Sequence, residues 1–181
     1  MTQTVPFLGV HELVGAHDVT TAILGPGDWS LLRSLRLLAL TDSPHAFLGS
    51  LEQESRMNRQ DWQARCREGL WVVASWGSRP VGLARLAASP APGECLHLES
   101  MWVAPQVRGR GVGVGLIHGL EHAARARRAP MVGLWVFDHN VAARRLYERL
   151  GYRPLNPPRR QFLSVVVKGD HRVEEELRKI L

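Results

Sequence analysis

The chain is predicted to fold as a single α/β (or α+β) domain, because strand-like and helix-like segments alternate along most of its length. Short runs rich in β-branched and aromatic residues alternate with longer stretches whose apolar residues recur every three or four positions. The 181 residues, 45% of them hydrophobic, can bury the core of one soluble domain. In addition, a strand-like run leads into a glycine-rich loop and then a helix between residues 96 and 124.

The first third of the chain is expected to begin with an arm, residues 1–18, which has no clear periodicity. Val19–Leu24 is short and β-branched, which predicts a first strand. A Gly-Pro-Gly-Asp break follows, and Asp28 is a suitable N-cap for a helix from Trp29 to about Leu40. One or two short helices are expected within the polar stretch 52–67.

The rest of the chain continues the alternation. Leu70–Trp76 and Pro80–Leu86 are predicted to form a hairpin, and Cys95–Val103 a fourth strand. The later elements are expected to be a helix after the glycine loop, a strand Met131–Phe137, a helix Asn140–Leu150, and final strands at 152–154 and Gln161–Val167. The domain would then span residues 19–168, and the charged residues 169–181 would form a tail that could be a short helix.

Composition excludes several classes of protein. No apolar run approaches the roughly 18 residues that a membrane-spanning helix needs, so no membrane partner is expected. The N-terminus does not resemble a signal peptide, and the two cysteines form no metal-binding spacing or disulfide framework, which favours a reducing cytoplasm and no metal. The net charge of +6 could attract an anionic ligand or, nonspecifically, nucleic acid. No motif for specific nucleic-acid recognition is present.

The glycine-rich loop predicts a phosphate-binding site. N–H groups at the start of a helix have no partner within the helix, and the helix dipole favours an anion there. The loop lacks the terminal Gly-Lys-Ser/Thr of a Walker motif, and its alternating glycines do not fit G-x-G-x-x-G. The pattern that fits is R-x-x-G-x-G, although a flexible turn with two solvated arginines would also be compatible with it. Its residues are Arg108, Gly109, Arg110, Gly111, Val112 and Gly113.

The predicted fourth strand carries two titratable groups on one face. Strict alternation places Leu96, Leu98, Ser100 and Trp102 on one side of the strand, and Cys95, His97, Glu99, Met101 and Val103 on the other. His97 and Glu99 therefore point the same way. This indicates either a wet cleft on that face or a solvated surface under a helix.

The predicted helix Asn140–Leu150 places Asn140 and Tyr147 on one face, because seven residues make about two turns. Apolar residues lie at nearby positions, so this face is expected to point inward. A phenol held on a rigid helix can act as a proton donor, because it keeps its proton at pH 7. A core tyrosine with a satisfied hydroxyl is the alternative for Tyr147.

These motifs resemble those of the GNAT superfamily of N-acetyltransferases. The R-x-x-G-x-G loop is similar to that family's acyl-CoA pyrophosphate loop, and residues 140–152 resemble its signature N-x-x-A-x-x-L-Y-x-x-x-G-F/Y. The stretch Asp42–Phe47 also resembles a phrase found in many bacterial members. The resemblance covers roughly Thr20–Val167. It implies a mixed central sheet, splayed between the fourth and fifth strands to admit the pantetheine arm of acetyl-CoA.

The resemblance also implies roles for the site residues. Tyr147 would protonate the departing thiolate, and Glu99, with His97 as second choice, would be the general base for the attacking amine. Asn140 would contact the pantetheine or the wall of the cleft. A backbone N–H among Met101, Trp102 and Val103 could stabilise the thioester oxygen. The amides from Arg108 to Gly113 would hold the pyrophosphate, aided by the arginine side chains.

The sequence therefore predicts an enzyme that moves the acetyl group of acetyl-CoA directly to an acceptor amine. A binding module that holds acyl-CoA without turnover is the main alternative, and a basic nucleic-acid-binding protein is a third. The acceptor stays open: a small amine, an amino acid, or a protein N-terminus or lysine. A homodimer is possible, but no feature of the sequence fixes the oligomeric state.

Overall fold

The computed structural model describes residues 19–88, 95–163 and 172–181. Within these ranges, strands and helices alternate as the sequence predicts. The strands are β1 (Val19–Ile23), β2 (Leu70–Trp76), β3 (Arg79–Ala88), β4 (Leu96–Val103), β5 (Met131–Phe137), β6 (Arg153–Pro154), β7 (Arg160–Leu163) and β8 (Arg172–Ile180). The helices are α1 (Trp29–Asp42), α2 (Leu51–Ser55), α3 (Arg59–Arg67), α4 (Val112–Ala126) and α5 (Val141–Arg149).

One mixed sheet contains all eight described strands, in the order β1-β2-β3-β4-β5-β8-β6, with β7 also paired to β8. Among the described pairings, β4–β5 is parallel and the others are antiparallel. The parallel ladder joins only Leu96–Leu98 to Val132–Leu134. Beyond these residues the two strands have no ladder between them, which confirms the splay expected between the fourth and fifth strands.

The prediction of a tail, helical or not, at residues 169–181 is wrong for the described residues of that segment. β8 pairs with β5 along all seven of that strand's residues, and Leu177 is fully buried. The charged composition misled the prediction because Glu174, Glu175 and Glu176 are buried in the sheet. Arg144 and Arg159, from other parts of the chain, form ion pairs with Glu175 and Glu176, and Arg178 of the same strand also pairs with Glu176. The domain therefore extends through Ile180, beyond the predicted boundary at residue 168.

Two parts of the prediction lie wholly or partly outside the described residues. These are the arm at 1–18 and residues 164–167 of the expected strand Gln161–Val167, of which β7 contains the first three. The polar stretch 52–67 contains two helices, as expected. The second begins at Arg59, and Asn58 is its N-cap: the Asn58 side chain accepts from the N–H groups of Gln60 and Asp61.

Each face of the sheet has its own hydrophobic core. On one face α4 packs its buried side chains, Leu116, Ile117 and Leu120 among them, against β2, β3 and β5, and Tyr147 of α5 joins this core. On the other face α1 and α3 bury Leu32, Leu35 and Trp62 against Trp71, Leu83 and Trp102. The helices of the described residues include none with both the length and the apolar character that a bilayer crossing requires.

Candidate active site

A cleft of about 940 Å³ opens where β4 and β5 separate. Its lining falls into two groups, which we name by composition. The glycine wall lies on the α4–α5 side and comprises Met101, Gly109, Gly111, Gly113, Asn140 and Tyr147. The arginine wall lies on the α1–α3 side and comprises Arg36, Phe47, Arg65, Arg85, His97 and Glu99.

Because of a β-bulge, the single strand β4 contributes side chains to both walls of the cleft. Between the pairs Arg85↔Glu99 and Leu83↔Trp102, β4 advances three residues while β3 advances two, and Ser100 takes a positive φ of 54°. A single extra residue exchanges the two faces of a strand beyond it. Met101 therefore packs with the α4–α5 core, whereas Trp102 is buried in the α1–α3 core.

The predicted side-chain alternation along β4 is therefore wrong after Glu99. Met101 and Val103 do not share the face of His97 and Glu99, and Trp102 does not share the face of Leu98. Of the two environments predicted for His97 and Glu99, the structure shows the cleft, because both residues line it. The bulge is the reason that one short strand contributes side chains to both walls.

Beyond the bulge, one edge of β4 pairs with β3 and the other borders the gap between β4 and β5. The N–H of Ala104 donates to the carbonyl of Val81 in β3, at 2.8 Å. Because successive N–H groups of a strand point to opposite edges, that of Val103 is directed away from β3, toward the gap. An N–H at this place can donate to an oxygen that gains negative charge within the cleft.

The glycine loop holds the backbone in conformations that favour glycine. Gly109 and Gly111 have φ of 76° and 85°, and Gly111 immediately precedes the first residue of α4. Val112 is buried in the core and so anchors the start of this helix. A Cβ at Gly113 would lie 3.1 Å from both Met101 and Leu146, so the helix approaches β4 and α5 closely at this residue. The unpaired N–H groups of this first turn therefore border the cleft.

The side chains of the loop's two arginines lie in different places. Arg110 does not line the cleft; its guanidinium lies over the ring of Trp76, at 5.6 Å. Arg108 does line the cleft, but its guanidinium is hydrogen-bonded to protein groups outside the glycine loop. Its Nε donates to the carbonyl of Val103 at 2.9 Å, and its Nη2 donates to the carboxylate of Asp42. Arg108 is therefore anchored to β4 and α1, whereas Arg110 lies at the surface beside Trp76.

Asp42, at the end of α1, is a residue that the sequence reasoning did not select. Its carboxylate accepts from Ser43 at 2.7 Å, from Trp102 Nε1 at 2.9 Å, and from Arg108. These hydrogen bonds, that of Ser43 first, hold the pKa of Asp42 below its usual value. Asp42 thus joins α1, β4 and the glycine loop. The signal in the sequence was the stretch Asp42–Phe47, and the hydrogen bonds of Asp42 give the first residue of that stretch a physical role.

Tyr147 and Asn140 both line the cleft, as their spacing predicts. Tyr147 is buried, and its hydroxyl donates to Met101 Sδ at 3.5 Å, beside the bulge. Burial raises the pKa of this phenol well above its usual value, so it keeps its proton. Asn140 is the N-cap of α5, because its Oδ1 accepts from the N–H of Ala143 at 3.2 Å. Asn140 therefore fixes the start of the helix that carries Tyr147.

The two candidate bases lie in different environments. Glu99 is exposed, and its carboxylate is 3.7 Å from Arg85 Nη1. His97 is only 4% exposed, and its Nε2 is 3.8 Å from Glu176 Oε1. Burial lowers the pKa of His97, with Glu176 opposing the shift in part, so the imidazole is neutral at pH 7. His97 is therefore in the unprotonated form that a base requires.

Cys95, His97 and Glu176 form the one group of three metal-ligand side chains found among the described residues, with their ligand atoms within 4.8 Å of one another. The carboxylate of Glu176 already accepts from Arg178 Nε at 2.6 Å and from Arg159 at 3.3 Å. These two guanidinium groups oppose a cation at the same carboxylate. The cluster therefore fits a buried ion-pair network better than a metal site.

Comparison with known proteins places this architecture in a family. Residues 33–152 match the model of the Acetyltransferase (GNAT) family. An uncharacterized N-acetyltransferase of Methanocaldococcus jannaschii is 30% identical over 95 residues, which are 50% of this chain and 42% of that protein. The chain thus matches less than half the length of this curated relative.

Solved structures share the fold over most of the chain. A GNAT-family acetyltransferase of Streptococcus pneumoniae superposes with a TM-score of 0.74 at 14% identity, covering 90% of this chain and 99% of that one. A Salmonella typhimurium protein described as an acetyltransferase, and solved with its cofactor acetyl-CoA, gives 0.73 at 16% identity, covering 90% and 94%. The family match covers more than half of the sequence, and the chain therefore belongs to the GNAT family of acetyltransferases.

Proposed function

We propose that this protein is an acetyl-CoA-dependent N-acetyltransferase that transfers the acetyl group directly to an acceptor amine. The observation that carries the proposal is the single cleft between β4 and β5. It brings together the glycine loop, the hydroxyl-bearing Tyr147 and two titratable groups of β4. A module that only bound acyl-CoA would need the first of these features but not the other two.

Acetyl-CoA would lie along the glycine wall. Its pyrophosphate would accept hydrogen bonds from the N–H groups at the start of α4, where the helix dipole also favours an anion. Gly109 and Gly111 allow the backbone to come close to the phosphates. The pantetheine arm would enter the gap between β4 and β5, next to Asn140. The Salmonella relative solved with acetyl-CoA supports this choice of donor.

The transfer would proceed by attack of the neutral amine on the thioester carbonyl. A base removes a proton from the amine nitrogen, directly or through water, as the C–N bond forms. The carbonyl oxygen gains negative charge and accepts from a β4 amide such as Val103 N–H, which points toward the gap. The C–S bond then breaks, and Tyr147 donates its proton, or a hydrogen bond, to the departing thiolate. The products are an acetylated amine and CoA.

Either Glu99 or His97 can be the base of this reaction. Glu99 is accessible to an acceptor from solvent, whereas His97 is deeper and is backed by the carboxylate of Glu176. Glu99→Gln and His97→Asn separate them, because only loss of the true base lowers turnover while acetyl-CoA still binds. We expect the larger loss, about 10²-fold or more in kcat, for Glu99→Gln.

The test of the proposal is calorimetric titration of acetyl-CoA into wild type and Gly111→Glu, with CoA release measured over a panel of amines. A carboxylate at Gly111 would occupy and repel the pyrophosphate site, so binding should fall by at least about 100-fold, or about 2.7 kcal/mol. Gly111→Ala is the matched control for backbone strain at a φ of 85°. Gly27→Glu adds the same charge where a side chain meets nothing within 4 Å.

Each outcome has one meaning. Binding that is lost in Gly111→Glu but kept in the two controls, together with CoA release in the presence of an amine, would support the enzyme. Binding without release for any amine would favour a non-catalytic module. Absence of acetyl-CoA binding by the wild-type protein would contradict the proposal at its first step.

A further inference from the structure

The arginine wall contains three guanidinium groups, whereas only two carboxylates, those of Glu54 and Glu99, form ion pairs with them among the described residues. Arg36 donates to both oxygens of Glu54, from Nε at 3.0 Å and from Nη2 at 2.9 Å. Arg65 donates to one of the same oxygens, at 3.3 Å. Two positive charges therefore share one carboxylate. Arg85, from the neighbouring β3, is 3.7 Å from Glu99 and also lines the cleft.

The pair Arg36–Glu54 is rigidly placed. Both side chains are more than nine-tenths buried, and the guanidinium of Arg36 lies 4.9 Å from the ring centre of Phe47. A Cβ at Gly49 would collide with Arg36 Nη2 and Glu54 Oε1, so the chain passes directly against the pair. These contacts explain how the loop between α1 and α2 is held. They do not use every donor that the arginines carry.

Three buried N–H groups of this wall have no hydrogen-bond partner among the residues that the structure describes: those of Arg36 Nη1, Arg65 Nε and Arg85 Nε. A buried charged donor without an acceptor is costly, and natural proteins keep few of them. All three side chains line the one cleft in which acetyl transfer would occur. These three nitrogens are covered by the protein, so an arriving oxyanion would meet the exposed parts of Arg65 and Arg85, whose side chains are 23% and 20% exposed. The unsatisfied donors indicate that the wall carries more donor capacity than its own carboxylates use, which fits an additional oxyanion.

We propose that the arginine wall binds a carboxylate of the acceptor, so that the acceptor is an amine that also carries an anionic group, as amino acids and acidic peptides do. This inference rests on the proposed acetyltransferase function and adds the acceptor class to it. Arg85 adjoins Glu99, so the carboxylate would bind beside the place where the amine loses its proton. The two charged groups of one small zwitterion would then meet charges of opposite sign on the same wall.

The experiment compares amino acids with their carboxamides as acceptors, in wild type, Arg65→Gln and Arg65→Lys. We expect wild type to prefer the carboxylate by about 10- to 100-fold in kcat/KM, the size of one charged hydrogen-bonded contact. Arg65→Gln should remove most of this preference, and Arg65→Lys part of it. The quantity compared is the ratio of kcat/KM for the acid to that for the amide, in each variant relative to wild type. The different basicity of the two amines therefore cancels. Peptides with acidic residues next to the amine distinguish a protein acceptor from a free amino acid.

Arg56→Gln is the matched control, because Arg56 lies on the surface near the same helices and its side chain is 76% exposed. It should leave the carboxylate preference unchanged. Calorimetry with N-acetylamino acids and their amides, in the presence of CoA, gives a reading that does not depend on turnover. Equal use or equal binding of acid and amide by wild type would overturn the inference, as would an equal loss for both in Arg65→Gln. If acetyl-CoA itself failed to bind, the proposed function would fall instead.

Discussion

The two walls of the cleft differ in the chemical groups that they present. The glycine wall presents backbone amides, small residues and one buried phenol, and most of it comes from a single stretch, Met101 to Gly113. The arginine wall presents charged side chains that four separate elements contribute: Arg36 from α1, Arg65 from α3, Arg85 from β3 and Glu99 from β4.

This difference suggests how the two walls tolerate change. A site made of backbone depends on loop geometry, so the positions of its glycines are constrained together. A site made of charged side chains can change residue by residue, provided that each buried charge keeps a partner. We therefore expect the glycine wall to define the common donor and the arginine wall to define the acceptor of this particular chain.

The largest effect on stability should come from breaking the buried pair of the arginine wall. Glu54→Gln leaves Arg36 buried without its carboxylate, which should lower the free energy of unfolding by about 3–5 kcal/mol. Urea denaturation measures the change. The matched control is Glu52→Gln on the same helix, whose pair with Arg56 is exposed and should contribute about 0.5 kcal/mol or less. Equal effects of the two substitutions would show that the buried pair is not a structural anchor.

The next effect concerns the glycine wall and should appear in catalysis alone. Tyr147→Phe removes the hydroxyl beside Met101 and should lower kcat by about 10²-fold, with the Kd of acetyl-CoA nearly unchanged. Tyr152→Phe is the control, because this neighbouring ring lies 6.0 Å away but does not line the cleft. Steady-state kinetics and calorimetry separate the two quantities. An unchanged kcat in Tyr147→Phe would remove this residue from the proposed mechanism.

A smaller effect should come from the contact that joins the walls. Asp42→Asn weakens the hold on Arg108 and Trp102, so the glycine loop should be less well placed and the KM for acetyl-CoA should rise about 3- to 10-fold. The KM for the acceptor, measured with the same variant, is the internal control. A rise in both KM values by the same factor would instead indicate a general loosening of the cleft.

The smallest effect should be on the pH dependence of stability. The folded state holds the pKa of His97 below its ordinary value of 6.5, so the unfolded chain binds this proton first as the pH falls. The free energy of unfolding should therefore decrease as the pH falls through about 6.5, and it should decrease less in His97→Asn. Urea denaturation at about pH 7.5 and about pH 5.5 compares the two proteins. The same decrease in both would assign it to other groups.

The sequence predicted those parts of the molecule that depend on short-range patterns. The glycine spacing and the seven-residue separation of Asn140 and Tyr147 lie within single motifs, and both motifs line the cleft. The bulge at Ser100 was not predictable in the same way. It shifts the alternation by one residue, but Met101, Trp102 and Val103 are all apolar, so the sequence fits a strand with or without the extra residue. β8 was missed because its buried glutamates are paired by arginines distant in the chain, such as Arg144 with Glu175 at 2.6 Å. The unpaired donors of the arginine wall likewise exist only once α1, α3 and β3 are assembled.

The separation of β4 and β5 has a consequence for the sheet itself. It creates two strand edges in the interior of the molecule, although proteins ordinarily cover or pair such edges. The pantetheine arm that we place there has amide groups of its own, and it would lie between the strands much as another strand would. The bound cosubstrate would then complete the sheet, and binding and folding would share part of their free energy. Bound acetyl-CoA would then form part of the cleft in which its own acetyl group is transferred.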